Sequence, residues 1–302
     1  MHGFEFGSRT AKGGFANEKE VCRKFNNWKN DKEAQLWLKI MGYDIDKIEQ
    51  VIAIQIPPRI KKSEIKKFGF NEEKYEQLMK FKKTDVQVQV KIIISNAIKV
   101  ENLSLKKANS DADYNQVDKR SVDAYKEMWH FSDEIALGLK LFTGEINPSL
   151  YPELLKVPLT DLRDKRRAYL HELKDDLREK IINFFNNNKI LVVSDVLKGR
   201  GGFSANWMLV TRYDKISDTT TWILKDINTA MNFFGQGPVM LSPRGSLYIG
   251  RITMQRKGGT PTLLNCSLKL SLANFLGLIV QLIQCKIIFK KNFLVASNFL
   301  YY

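Results

Sequence analysis

The stretch that decides the fold is Asp85-Val-Gln-Val-Gln-Val-Lys-Ile-Ile-Ile94, in which polar and apolar side chains alternate. A period of two predicts a half-buried strand, with the valines on one face and Asp85 on the other. A second alternating stretch follows at 98–106. A turn near Ser95-Asn96 would join the two strands as an antiparallel hairpin.

Three polar side chains of this hairpin can meet at one point. Asp85 opens the first strand, and Ser104 and Lys106 share the polar face of the second. A carboxylate holds Mg²⁺ through hard oxygen, and such a cation lowers the pKa of a bound water beside a phosphodiester. Lys106 would orient that water and stabilise charge on the phosphate. The layout is that of a PD-(D/E)xK nuclease site with serine at the middle acidic position; a solvated hairpin face is the alternative.

A fourth candidate lies near the start of the chain. Apolar residues at helical spacing predict a helix over 15–29, and Glu18 lies four residues before Cys22 on its buried face. An inward carboxylate is costly unless it is paired or binds a cation. Glu18 is therefore a candidate metal ligand, or else a first-turn glutamate that the helix dipole favours.

The rest of the chain gives a coarse series of elements. Residues 51–56 predict a strand that Pro57-Pro58 ends, and the lysine-rich segment 59–83 reads as a surface insertion that either touches DNA phosphates or is simply solvated. Helices are predicted over 121–142 and 161–186, and strands over 189–196, 206–213, 221–226 and 246–256.

A strand near the C-terminal end presents hydrogen-bond donors in a row. Side chains with donors recur at every second residue from Arg251 to Lys257, and arginine and glutamine can read base edges. The basic turn Lys198–Gly202 could approach phosphates, and the aromatic Tyr114 could wedge into a base step. A charged edge strand and ordinary loops are the alternatives.

Composition narrows the class of protein. The 302 residues carry 48 Lys and Arg against 33 Asp and Glu, a formal charge of +15, and 44% are hydrophobic. This excludes a fully disordered chain and favours an acidic partner, either nucleic acid or an anionic membrane. Three cysteines without paired spacing argue against disulfides and structural zinc. The first residues lack a signal-peptide core, so we expect the cytoplasm.

With these segments in view, the chain resembles the GCGC-specific type II restriction endonucleases of the HinP type, relatives of the MspI-like enzymes. The resemblance runs in family order over about residues 7–260. It is carried by the runs Gly7–Lys12, Phe15–Lys19, Glu33–Leu38, Asn115–Lys119, Tyr125–Trp129, Phe142–Glu145, Asp164–Arg167, Gly199–Gly201, Leu241–Ser246 and Gln255–Gly259.

The resemblance implies an α/β fold with a restriction-endonuclease-like core, a mixed central β-sheet flanked by helices. It implies Mg²⁺-dependent cleavage of double-stranded DNA within GCGC and a cytosine methyltransferase that protects the host, and it leaves a homodimer open. A non-catalytic or decayed DNA-binding protein is the rival reading. A membrane-attached protein is a third, although the apolar run in the tail falls short of about 20 residues.

Site residues follow from the resemblance as well. Asp85 and Glu18 would bind the metal, and Lys106 would be the catalytic lysine. Ser104, which stands where the family places glutamine, would be a substitute metal ligand that reaches the metal through water. Tyr114 and Gln116 match residues that invade the base stack, and Ser242–Lys257 matches the base-reading segment. The expected DNA contacts are Tyr114, Gln116, Arg200, Arg244, Ser246, Arg251, Thr253, Gln255, Arg256 and Lys257.

The expected organisation is one nuclease domain over 1–262. Its catalytic core covers about 1–120, its DNA-recognition part about 189–262, and its insertion about 57–82. Residues 263–302 form an apolar tail that does not match the family. A reading-frame slip near residue 260 would explain this tail, since Asn265–Ala273 can be back-translated so that another frame reads Leu-Gln-Phe-Lys-Ile, the ending typical of the family.

Overall fold

The structure is a computed structural model that describes residues 16–92, 97–108, 115–214, 218–243, 245–256 and 266–270. Its helices are α1 (16–26), α2 (Lys32–Ile40), α3 (Tyr75–Lys80), α4 (Val122–Trp129), α5 (Asp133–Thr143), α6 (Asp175–Asn187), α7 (Lys189–Leu197) and α8 (Ile227–Gly235). Its strands are β1 (Ile48–Gln55), β2 (Val86–Ile92), β3 (Ile98–Ala108), β4 (Asn115–Arg120), β5 (Trp207–Asp214), β6 (Thr219–Asp226), β7 (Val239–Leu241), β8 (Leu247–Ile249), β9 (Ile252–Arg256) and β10 (Cys266–Leu270).

The first sheet is mixed and has the strand order β1-β2-β3-β5-β6. β3 and β5 run parallel, whereas the other neighbours are antiparallel. The predicted fold class, a mixed central sheet flanked by helices, is confirmed, and so is the antiparallel pairing of β2 with β3. β5 and β6 lie within the range 189–262 expected for DNA recognition, yet they complete this sheet.

The alternation in β2 reflects burial on one face. Val86, Val88 and Val90 have no solvent exposure and pack against residues of α1 and α2, Phe25 and Trp37 among them. The opposite face is covered near the hairpin, where the Gln87 amide donates to Asn102 Oδ1 at 3.2 Å. α1 and α2 thus cover one face of this sheet, and Met208 and Val210 on the other face pack in a core with α4 to α8.

The second sheet is antiparallel, with the strand order β4-β10-β9-β8-β7. Apolar residues of this sheet, such as Met254 and Leu268, join a large core with α4 to α8 and with Met208 and Val210 on the first sheet. β10 lies inside the segment 263–302 expected to be a tail, and it pairs with both β4 and β9. The remainder of that segment lies outside the described residues.

Both long helices predicted from periodicity are wrong in extent. The span 121–142 contains two helices, because His130 adopts a left-handed φ of +57° and Ser132 caps α5 by accepting from the Ile135 N–H. The second predicted helix begins only at Asp175. Before it, the Glu172 carboxylate accepts backbone N–H groups of an irregular segment that helical periodicity did not reveal.

Two predicted strands are also corrected. Residues 189–196 belong to helix α7, in which Val192 and Val196 are buried while Ile190 is 79% exposed; a short apolar run does not distinguish helix from strand. The predicted strand 246–256 is instead the hairpin of β8 and β9, which turns at Gly250 with a φ of +61°.

The lysine-rich insertion has an apolar anchor. Ile60, Ile65 and Leu78 form a small cluster with Ile56 at the end of β1 and with the fully buried Phe203. The segment is therefore docked on the first sheet near the start of β2. No helix within the described ranges is long and apolar enough to cross a membrane.

The Gly250 turn gives a stability prediction. A Cβ at this position would lie 2.8 Å from the backbone of Gly235 and Phe234. Gly250→Ala should lower the free energy of unfolding by about 2–4 kcal/mol, because a left-handed backbone and a backbone clash both oppose it. Gly69→Ala is the control, since its φ of +80° is similar and no atom lies within 4 Å. Equal losses in equilibrium denaturation would contradict the close approach.

Candidate active site

The hairpin brings Asp85, Ser104 and Lys106 into contact. Lys106 Nζ lies 2.8 Å from Ser104 Oγ and 3.4 Å from Asp85 Oδ2, and Ser104 Oγ is also 3.4 Å from Asp85 Oδ2. Lys106 Nζ donates in addition to the Leu105 carbonyl at 3.0 Å. These three predicted side chains therefore form one cluster at the start of β2.

Asp85 is fixed by backbone contacts on both sides. Its N–H donates to the Leu103 carbonyl at 2.9 Å, and its carbonyl accepts from the Ile56 N–H at 2.9 Å. Its carboxylate accepts from the Leu105 N–H at 2.7 Å. The carboxylate is thus placed by β1 and β3 together, which reduces the side-chain freedom that a ligand or substrate would otherwise have to restrict.

Glu18 on α1 turns toward this cluster. Gln55 at the end of β1 donates to Glu18 Oε2 at 2.5 Å. Burial raises the pKa of Glu18 above its usual value and Asp85 adds to this, while Gln55 and two lysines act to lower it. Burial and the nearby Glu18 also raise the pKa of Cys22 to about 11. These contacts favour the inward, paired reading of Glu18.

The donor set fits a divalent cation such as Mg²⁺. The described part of the chain holds no group of three or more His, Cys, Asp and Glu side chains arranged for a metal. Mg²⁺, however, commonly takes only one or two carboxylates and completes its shell with water and phosphate oxygens. All contacts to the Asp85 carboxylate in the described ranges go to Oδ2, and the side chain is 26% exposed, so Oδ1 faces no competitor.

Sequence reasoning missed two lysines beside the site. Burial lowers the pKa of Lys82, against the opposing effect of Asp85 and Glu18. Lys83 Nζ donates to Asp118 on β4. Burial acts to raise the pKa of Asp118, but Lys83 and Arg120 outweigh it and hold the pKa below its usual range. Both lysines were counted with the lysine-rich insertion, and no local signal separates them from it.

Three of the expected DNA contacts, Gln116, Thr253 and Gln255, lie on strands of the second sheet. Gln116 on β4 is exposed, and Gln255 on β9 is half-buried. The Ser246 N–H donates to Ser242 Oγ at 2.9 Å, within the tight turn before β8. Thr253 is only 3% exposed, whereas Gln255, two residues further along β9, is half-buried.

Two predicted DNA contacts are held by other residues of the chain. The Arg200 guanidinium makes paired hydrogen bonds to Asp195 at 2.7 and 2.6 Å and stacks 4.4 Å from the Phe81 ring. Arg251 donates to Gln236 and lies 4.1 Å from the Phe233 ring. A role of either arginine in DNA binding stays a prediction. Tyr114, Arg244, Lys257 and the side chain of Arg256 lie outside the described residues.

Comparisons with known proteins identify the family. A family profile described as R.HinP1I restriction endonuclease matches residues 75–268, which include Asp85 and Lys106 and end within β10. No curated protein sequence matches the chain.

A solved structure also has a similar fold. It is a crystal structure of restriction endonuclease MspI in complex with its cognate DNA, with a TM-score of 0.53 and 11% sequence identity. The similarity covers 84% of this chain and 87% of that one. The profile spans more than half of the sequence and includes the Asp85–Lys106 cluster, and the fold is that of a restriction endonuclease, so this chain belongs to the R.HinP1I restriction endonuclease family of site-specific endonucleases.

Proposed function

We propose that this protein is a type II restriction endonuclease that hydrolyses phosphodiester bonds of double-stranded DNA within GCGC and depends on Mg²⁺. The observation that carries the proposal is the cluster of Asp85, Ser104 and Lys106 on adjacent strands. A partly exposed carboxylate and amine in contact suit an anionic substrate, since the carboxylate would bind the cation and the amine the phosphate.

Asp85 and Glu18 would hold Mg²⁺, with Ser104 as a neutral oxygen nearby. When bound, the cation neutralises charge on the phosphate and lowers the pKa of an attacking water. Leu103 and Ile56 hold the backbone of Asp85, and the Leu105 N–H holds its carboxylate, before DNA arrives. Such preorganisation stabilises the transition state more than the same groups would in water, because they need not reorient during the reaction.

Lys106 would position the water and stabilise the negative charge that develops on the phosphate. Its amine has three acceptors within 3.4 Å, provided by Ser104, Leu105 and Asp85. Its side chain is 21% exposed. The amine is therefore held firmly beside Asp85 and can still reach a bound phosphate.

The second sheet would read the bases. Gln116 and Gln255 lie on β4 and β9, the two strands that flank β10. At a G·C pair the Gln255 amide can donate to guanine N7 or O6 or accept from cytosine N4, whereas Gln116 would enter the base stack. A good base contact is worth about 1–3 kcal/mol against a wrong base. The net charge of +15 would supply the sequence-independent part of binding. Cutting at GCGC would also require a cytosine methyltransferase that protects the host. The protein would act in the cytoplasm, alone or as a homodimer.

One observation favours the rival, a non-catalytic DNA-binding protein. Ser104 stands at the middle acidic position, is 1% exposed and carries no charge. A metal at this site would therefore have fewer charged ligands than two carboxylates on the hairpin would provide. A plasmid digest with Mg²⁺ and with chelator separates the two functions, because a binder shifts DNA without cutting it.

Lys106→Ala should reduce cleavage by about 10²-fold or more, because the charge that faces the phosphate is lost. Binding to a GCGC duplex in chelator should stay nearly unchanged. The measurement is the single-turnover rate on a plasmid with mapped GCGC sites, together with a gel shift.

Lys107→Ala is the matched control for this variant. Lys107 is the next residue of β3, is exposed, and points to the opposite face of the strand. Full cutting by Lys106→Ala, or an equal loss in both variants, would contradict the role of Lys106.

Ser104→Ala should slow cleavage by about tenfold, because the Lys106 amine loses a charge-assisted hydrogen bond. The loss should appear in the rate and not in DNA affinity, since the hydroxyl is buried. Ser104→Cys, which keeps a weak acceptor of similar size, should lose less than Ser104→Ala. An unchanged rate in Ser104→Ala would show that the hydroxyl does not hold the amine.

Gln255→Ala should reduce the preference for GCGC over a site with one changed base pair by about tenfold to 100-fold. Thr253→Val should leave that preference unchanged, since Thr253 is buried. Cleavage rates of paired oligonucleotide duplexes measure both. If Thr253→Val proves the more relaxed variant, β9 does not read bases through Gln255.

A further inference from the structure

A buried ion pair joins the two sheets beside the active site. Lys83 Nζ donates to Asp118 Oδ2, and the side chains are only 9% and 5% exposed. Lys83 lies two residues before Asp85, whereas Asp118 is part of β4 in the second sheet. The pair therefore links the segment just before Asp85 directly to β4, the strand that carries Gln116.

The Asp118 carboxylate has additional partners. Its Oδ1 accepts from the Tyr125 hydroxyl at 2.9 Å and from Arg120 Nε at 3.0 Å. Arg120 also donates to the carbonyl of Lys80 at 2.8 Å. Apolar replacement of a buried ion pair is often neutral or stabilising, so stability alone gives weak reason for such a network.

The chain between the ion pair and Asp85 is clamped on its other side. The N–H groups of Lys83 and Thr84 both donate to the Phe203 carbonyl at 3.1 Å. The Thr84 hydroxyl donates to the same carbonyl at 2.7 Å. Besides the contacts of Asp85 itself with Leu103, Leu105 and Ile56, the segment just before it thus has two further supports, the loop at Phe203 and strand β4.

The pairing of β4 is irregular between Asp118 and Gln116. The register with β10 shifts there, so that Val117 has no partner in the ladder. Bulges of this kind re-aim a side chain and recur beside active sites. Gln116 is exposed on the far side of the irregularity, two residues from the ion pair.

We propose that the Lys83–Asp118 pair couples the engagement of DNA by Gln116 to the placement of Asp85. This inference rests on the proposed function. Lys83 and Asp118 are positioning residues, since they are buried and would touch neither the cation nor the DNA. A packed interior transmits a shift of β4 to residue 83 because it has little free volume to absorb it.

A double-mutant cycle tests this coupling. The first arm replaces the pair by Lys83→Met with Asp118→Leu, which removes both charges together. The second arm is Gln116→Ala, and the last variant combines the two. Single-turnover cleavage of a duplex with one GCGC site is measured with Mg²⁺, and affinity for the same duplex is measured in chelator.

The neutral pair should cut about tenfold more slowly with affinity nearly unchanged. Gln116→Ala should slow cutting by the wild-type chain but cause no further loss in the neutral-pair variant. If the two losses multiply while the wild-type chain cuts, the inference is overturned and the proposed function stands. If the wild-type chain binds GCGC without cutting, the proposed function fails and takes the inference with it.

Two further variants guard against a merely structural effect. Ile181→Ala truncates a fully buried residue of α6, away from the hairpin. In this background, Gln116→Ala should slow cleavage by the same factor as in the wild-type chain. Tyr125→Phe removes one hydrogen bond from Asp118 and keeps the ion pair, so it is used if the neutral pair does not fold. It should weaken the effect of Gln116→Ala in part; an unaltered effect would overturn the coupling.

Discussion

The hydrogen bond from the Leu105 N–H to the Asp85 carboxylate depends on one constraint, the register between β2 and β3. Val86, Val88 and Val90 enforce that register, because a slip by one residue would turn all three out of the core. The apolar face of the hairpin therefore fixes the position of a polar cluster on its other face. Packing that looks purely structural is what sets the distance between Asp85 and Lys106.

Charge around the cluster is balanced locally and positive at longer range. Asp85 and Glu18 face Lys82 and Lys106, so each carboxylate has a cation within electrostatic reach. A buried ion pair, Lys83 with Asp118, lies next to them. The arrangement suits the proposed DNA substrate, since the net charge of the chain would attract DNA while the local carboxylates would leave a place for a cation.

The sequence predicted the structure well where polar and apolar residues alternate with a period of two. This alternation revealed the pairing of β2 with β3 and the cluster of Asp85, Ser104 and Lys106 on one face of the hairpin. It failed at α7, where a short apolar run fits either period, and at His130, where a left-handed residue divides a continuous apolar pattern. The contact of Lys83 with Asp118 spans 35 positions and depends on two sheets meeting, so no local pattern could reveal it.

Serine in place of the glutamine expected at position 104 changes how the site is built. The short hydroxyl lies 2.8 Å from the Lys106 amine, which is closer than Asp85 Oδ2 at 3.4 Å. The neutral Ser104 hydroxyl thus makes the shortest contact of the amine, and the Asp85 carboxylate makes a longer one. A longer amide could reach the metal itself but would crowd a position that is only 1% exposed. At a site that binds a cation as proposed, serine would reach the metal only through water and would instead fix the Lys106 amine, so Asp85 and Glu18 would carry the greater share of cation binding.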